Sequence, residues 1–170
     1  MTRYIGLLRA VNVGGTGHLP MADLRSMCSE AGFTRVETYI ASGNIVFDSK
    51  AAPSRVKAEL EARLLAYAGK SVGVVLRTAP EMAAVLKANP FPKAEPRCTC
   101  AIFLDHRPPR DALDHAVGQS EEEMRLGDRE IFVHYGNGMG RSRLKIPAAR
   151  MGTARNMNTV AKLAAMASKP

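Results

Sequence analysis

The sequence predicts an α+β protein: a ferredoxin-like βαββαβ N-terminal half followed by a related βαββα half, with antiparallel sheets and the helices packed on one face. Short β-rich runs alternate with segments of helical periodicity instead of clustering apart. Gly, Asn, Ser and Pro punctuate nearly every junction between them. Hydrophobic residues make up 46% of the 170-residue chain, enough for a real core in a domain of this length.

Tyr4 to Arg9 reads as the first strand, and Asn12-Val13-Gly14-Gly15-Thr16-Gly17-His18 as a turn-rich loop. Pro20 suits a helix start, Met21, Leu24, Cys28 and Ala31 recur at helical spacing, and Gly32 stops the helix. Val36–Ile40 and Ile45–Phe47 flank Ala41-Ser42-Gly43-Asn44, the composition of a hairpin turn. A second helix runs from about Ser54 to Tyr67, with Val56, Leu60 and Leu64 on one face and Lys57/Glu61 and Glu59/Arg63 as i,i+4 pairs on the other. A strand follows at Val72–Leu76. Thr78-Ala79-Pro80-Glu81 has the form of a capping box opening a helix through Met82, Val85 and Leu86.

Residues 1–88 thus form the first subdomain with its connecting helix, and 89–97, with three prolines, a linker. In 98–170 the pattern restarts: a strand at Thr99–Leu104, a helix from Pro108-Pro109 through Leu113 and Val117, and a hairpin of Met124–Leu126 with Ile131–Tyr135 across Gly127-Asp128. A helix from about Asn158 to Ala167 ends this half, with no evident final strand. The order suggests a structural duplication in one compact unit, without a visible residue-level repeat.

The charge is segregated. The first 130 residues carry 17 basic residues against all 16 acidic ones, whereas residues 131–170 hold seven cations and no acid. Such a local field favours an anionic partner. No apolar run approaches the roughly 20 residues of a membrane span, so no membrane partner is expected. Cys28, Cys98 and Cys100 lack the spacing of a disulfide framework, and the opening residues lack a signal-peptide pattern, which together predict a cytoplasmic address.

Five ordered blocks, Arg9-Ala10-Val11-Asn12-Val13-Gly14-Gly15, Leu19-Pro20-Met21-Ala22-Asp23-Leu24, Thr38 through Phe47, Gly138-Met139-Gly140-Arg141-Ser142 and Arg155-Asn156-Met157-Asn158-Thr159, together resemble the DUF1697 family. The resemblance implies an α+β bacterial-type cytosolic protein and no established activity. The chain departs from the family pattern at Met157, where an aromatic is usual. It departs again between Ser142 and Arg155, where Pro147 and Gly152 interrupt a stretch that is commonly longer and more helical.

The most promising chemistry lies where Gly136-Asn137-Gly138-Met139-Gly140 leads into Arg141-Ser142-Arg143-Leu144-Lys145. Backbone donors, a hydroxyl and three cations suit a phosphate or phosphodiester, and an extended segment puts Arg141, Arg143 and Lys145 on one side. Arg155, Asn156 and Asn158 are further candidates from the same acid-free region, although an Asn here also serves as a helix cap. Gly14 and Gly15 sit at a strand-to-helix loop of the kind that holds phosphate, but match neither established glycine motif. Arg9, Asn12, Ser42 and Asn44 leave strand ends where a second site is possible.

The leading expectation is binding of an anionic, phosphate-bearing ligand, a nucleotide or nucleic acid. The alternatives are an enzyme acting on a small anionic metabolite through Arg9, Asn12 and Ser42, and a basic docking surface for an acidic protein. Whether a reaction is catalysed, any cofactor and the oligomeric state are undetermined at this level. Cys98-Thr99-Cys100 with His106 falls short of a zinc pattern, and no metal is expected. The strand order also resembles RNA-recognition modules, but nine aromatic residues and no Trp make a poor stacking platform.

Overall fold

The computed structural model describes residues 1–14 and 17–170, which divide into two compact units. The first comprises Met1–Met82 and Leu163–Pro170, and the second Ala83–Lys162.

In the first unit β1 (Thr2–Leu8), α1 (Met21–Glu30), β2 (Thr34–Tyr39), β3 (Asn44–Ser49), α2 (Pro53–Ala68) and β4 (Val74–Thr78) follow in the βαββαβ order expected. The sheet is antiparallel with strand order β2-β3-β1-β4. Its register sets Tyr4 opposite Phe47 and Thr78, and Gly6 opposite Ile45 and Leu76. Alternation then sends Tyr4, Leu8, Ile45, Phe47 and Val74 to one face, where they meet Leu24 and Cys28 of α1 and Val56, Leu60 and Leu64 of α2. The three helix leucines are fully buried, each contributing ~1.5–3 kcal/mol of transfer free energy. Ile5, Leu7, Val46 and Val75 on the other face are buried as well.

The helix signals hold in detail. Pro53 opens α2, and Gly69 closes it at φ 70°, its N–H donating to Leu65 O at 2.9 Å. The i,i+4 pairs Lys57–Glu61 and Glu59–Arg63 form at 3.0 and 2.6 Å. α3 (Ala79–Lys87) opens with the capping box: Thr78 N–H donates to Glu81 Oε2 at 2.7 Å and Glu81 N–H to Thr78 Oγ1 at 3.4 Å. In β2 the backbone bulges between Thr34 and Glu37, with Arg35 at φ 49°. Arg35 reaches Asp48 at 3.3 Å and donates to the backbone carbonyls of Lys169 and Pro170 at 3.1 and 2.8 Å.

The second unit repeats the strand order. β5 (Thr99–Phe103), β6 (Glu123–Leu126), β7 (Glu130–His134) and β8 (Thr153–Asn156) form an antiparallel sheet ordered β6-β7-β5-β8. The predicted hairpin is β6–β7, with Leu126 opposite Ile131. Ile102, Leu104, Met124, Ile131, Val133 and Ile146 form its core.

Two expectations for this half are corrected. The helix read from Pro108 is a single 3₁₀ turn, Ala112–His115, because few apolar residues anchor it and Gly118, at φ 73°, ends the segment. This half does have a final strand, β8, hidden in sequence by its four-residue length and its polar Arg155 and Asn156. α4 (Met157–Ala167) then follows β8 as α3 follows β4.

Candidate functional site

The basic segment begins at the end of β7. Tyr135 N–H donates to Cys98 O at 2.8 Å, and Gly136 and Gly138 take φ of 62° and 123° to turn the chain into a 3₁₀ turn at Met139–Arg141. From Ser142 the backbone runs extended, and Lys145 pairs with Val117 through two backbone hydrogen bonds of 2.9 and 2.8 Å. Burial alternates along it: Ser142, Leu144 and Ile146 turn inward, while Arg141, Arg143 and Lys145 are exposed. Leu144 and Ile146 join the unit's core, which fixes this orientation.

Ser142 serves as an internal anchor. Its hydroxyl donates to Glu122 Oε1 at 2.5 Å, and its oxygen accepts Leu144 N–H at 3.2 Å. Glu122 is buried and also accepts Ser120 N–H at 2.6 Å. These bonds, the Ser142 hydroxyl foremost, hold its carboxyl below the usual glutamate range. Around this anchor lies a concavity of about 580 Å³ lined by residues including Glu121, Glu122, Tyr135, Asn137 and Arg141. Burial, with the nearby Cys100 and Glu122, pushes the Tyr135 phenol up to about 12, so it stays a neutral hydroxyl. The described lining of the concavity is acidic and polar, with Arg141 as its cation. Among the described residues, Arg141, Arg143 and Lys145 make no ion pair.

Arg155 does not share that exposure. It lies in β8 opposite Ala101, is 7% exposed, and donates to Thr153 Oγ1 at 2.7 Å and Ala154 O at 2.9 Å. Burial lowers its pKa to about 10, leaving it cationic at neutral pH. Arg77 is its counterpart in the first sheet: buried, opposite Ile5, and donating to Leu76 O at 2.8 Å. Each arginine directly precedes a helix-capping residue, Thr78 or Asn156. Asn156 Oδ1 accepts Thr159 N–H at 3.0 Å, so it is a cap, and Asn158 is exposed on α4.

In the first unit, the end of β1 and the β2–β3 turn do converge. Asn12 Nδ2 donates to Leu19 O at 2.9 Å and Ala41 O at 2.8 Å, and Leu19 N–H donates to Asn12 Oδ1 at 2.6 Å. Asn44, fully buried, donates to Tyr39 O at 2.8 Å and Ser42 Oγ at 3.0 Å. Gly43 packs so close that a Cβ would lie 2.6 Å from Val11 Cγ2. Arg9 is half-buried, its backbone N–H bonded to Gly73 O, and Gly14 is exposed. Gly15 lies outside the described residues. Both asparagine amides are therefore committed to backbone and turn partners, and the knot they make is structural.

Glu122 and Tyr135 were not legible as site residues. The acidic run at 121–123 is visible in sequence, but only the pairing of β6 with β7 brings Glu122 to a serine twenty residues later. Cys28, Cys98 and Cys100 are buried and unbridged, and burial pushes the Cys28 and Cys100 thiols up to about 12. Among the described residues no three His, Cys, Asp or Glu side chains gather as a metal site, and no helix is long and apolar enough to cross a membrane.

Among the described residues, two four-stranded antiparallel sheets of like strand order, with four α-helices, define a mixed α+β protein of the two-half ferredoxin-like type. The chain belongs to the DUF1697 family, described as a protein of unknown function, whose model matches residues 1–132. It is similar to a solved structure, that of the conserved bacterial protein SP0830 from Streptococcus pneumoniae, with 25% identity and a TM-score of 0.80 over 98% of this chain and 99% of that one. No curated protein matches the sequence.

Proposed function

We propose that the chain binds a phosphate-bearing polyanion, with a single-stranded nucleic acid as the ligand class, along the row Arg141, Arg143 and Lys145. The observation that carries this reading is the row itself: three exposed cations, none in an ion pair among the described residues, with Arg141 closing the 3₁₀ turn and Arg143 and Lys145 on the pinned, extended segment that follows. Arg143 and Lys145 are two residues apart, about 6.6 Å along a strand, a pitch suited to a chain of charges. Arginine adds bidentate geometry toward phosphate oxygens. Arg155 contributes to the field of the region from within the sheet and not by contact. The buried, unbridged cysteines are in keeping with a reducing, cytoplasmic setting.

The test is fluorescence anisotropy with a labelled single-stranded oligonucleotide at low salt. Binding is expected to weaken with added salt at a slope of log K on log salt of about −2, as for three neutralised phosphates. Replacing Arg141, Arg143 and Lys145 together by Ala should abolish it. No binding at low salt, or binding unchanged in the triple variant, overturns the reading. Capture of an acidic protein in place of the oligonucleotide would instead assign the row to a protein partner. The enzymatic reading gains no support from Asn12, whose amide is already engaged.

A further inference from the structure

A second concavity lies in the first unit, between the loop after β1, the last turns of α2 and the approach to β4. Its volume is about 440 Å³, within the range of small-molecule sites. The floor is apolar: Val11, Leu19, Leu64 and Val72 are all less than a tenth exposed. One wall is Tyr67, whose ring is half-exposed while its hydroxyl donates to Asp23 Oδ2 at 2.7 Å. That bond fixes the far end of the ring, so the aromatic face stands as a wall without first having to be ordered.

The opposite side is equally fixed. Asn12 grips both the N–H and the C=O of Leu19, and its second amide hydrogen bonds Ala41 O. Val11 and Leu19 are thereby held at the cavity. The lining offers the ammonium group of Lys70 and the imidazole of His18, both residues exposed and neither in an ion pair among the described residues. Among the described residues, no acidic side chain lines it.

We infer that this cavity binds a small molecule with a ring-sized apolar body and one carboxylate-like anionic group. The body covers Leu64 and Val72 against the Tyr67 ring, and the anion meets Lys70 and His18 at the rim. An apolar floor with one cationic rim is the wrong surface for a polyanion and the right one for an amphipathic acid. The site uses none of the residues of the basic row, so the two readings stand or fall separately.

The experiment is a titration of the full chain with 2-naphthoate and with its neutral analogue 2-naphthalenemethanol, followed by methyl NMR of Val11, Leu19, Leu64 and Val72. Naphthoate is expected to shift these methyls. Lys70→Ala with His18→Ala should weaken naphthoate by about tenfold, as for loss of a charged hydrogen bond, and leave the alcohol unchanged. Tyr67→Ala should weaken both. All three side chains are solvent-facing, and the Lys70 variant alone decides the matter if the tyrosine variant misfolds. No methyl shift at millimolar naphthoate, shifts confined to other residues, or equal affinity for acid and alcohol would overturn the assignment.

Discussion

Glu122 is the residue on which the basic segment turns. A carboxylate that accepts from a serine hydroxyl and a backbone amide binds its proton less readily when folded than when unfolded. The unfolded chain therefore takes up more protons as the pH falls, and this contribution, full above the ordinary glutamate range, is lost in acid. Urea midpoints of the wild type should fall as the pH drops below about 4.5, the ordinary glutamate value. Those of Glu122→Gln should fall less, and identical acid limbs would contradict the role given to this bond. Residue identity was legible only in part. Gly69 as a helix stop and Thr78 and Glu81 as a capping box could be read directly, since each acts on neighbours within a turn. Asn12 and Ser142 could not, because each also bonds a residue brought close only by the fold, Ala41 and Glu122.

At the level of elements, the segment from Ser142 to Ile146 depends on the chain that runs beside it. Gly118, at φ 73°, would place a Cβ 2.2 Å from the Arg143 carbonyl oxygen, next to the Val117–Lys145 bridge. Gly118→Ala is thus expected to cost about 2–4 kcal/mol, combining a left-handed backbone with a clash. It should also weaken oligonucleotide binding although it removes no charge. Chemical denaturation and anisotropy on the same variant check both, and full affinity in a destabilised protein would separate the row's geometry from its function. The first unit was legible because α1 and α2 carry apolar stripes of helical period facing a sheet. In the second unit a 3₁₀ turn, Ala112–His115, stands where the helix from Pro108 is expected, and β8 is too short and polar to announce itself.

For the molecule as a whole, the charge asymmetry of the sequence resolves into cations of different fate. Arg141, Arg143 and Lys145 face solvent, Arg155 is buried in a sheet, and Lys169 lies 4.0 Å from Glu37. That last contact, with the bonds from Arg35 to the carbonyls of Lys169 and Pro170, belongs to a unit assembled from both ends of the sequence. A fragment of residues 1–88 should accordingly unfold at lower urea than the first unit does in the full chain. Tryptophan being absent, far-ultraviolet circular dichroism is the suitable probe, and equal midpoints would show that the C-terminal residues contribute nothing to it.

The same feature sets an order of events during synthesis. Ala83–Lys162 must be translated before Leu163–Pro170 can reach the strand bearing Arg35. At about 5–20 residues per second this is roughly 4–16 s. Throughout that interval the nascent βαββαβ sheet exists without its closing segment, so the bulged β2 edge is the place where a chaperone, or a second nascent chain, has its opportunity.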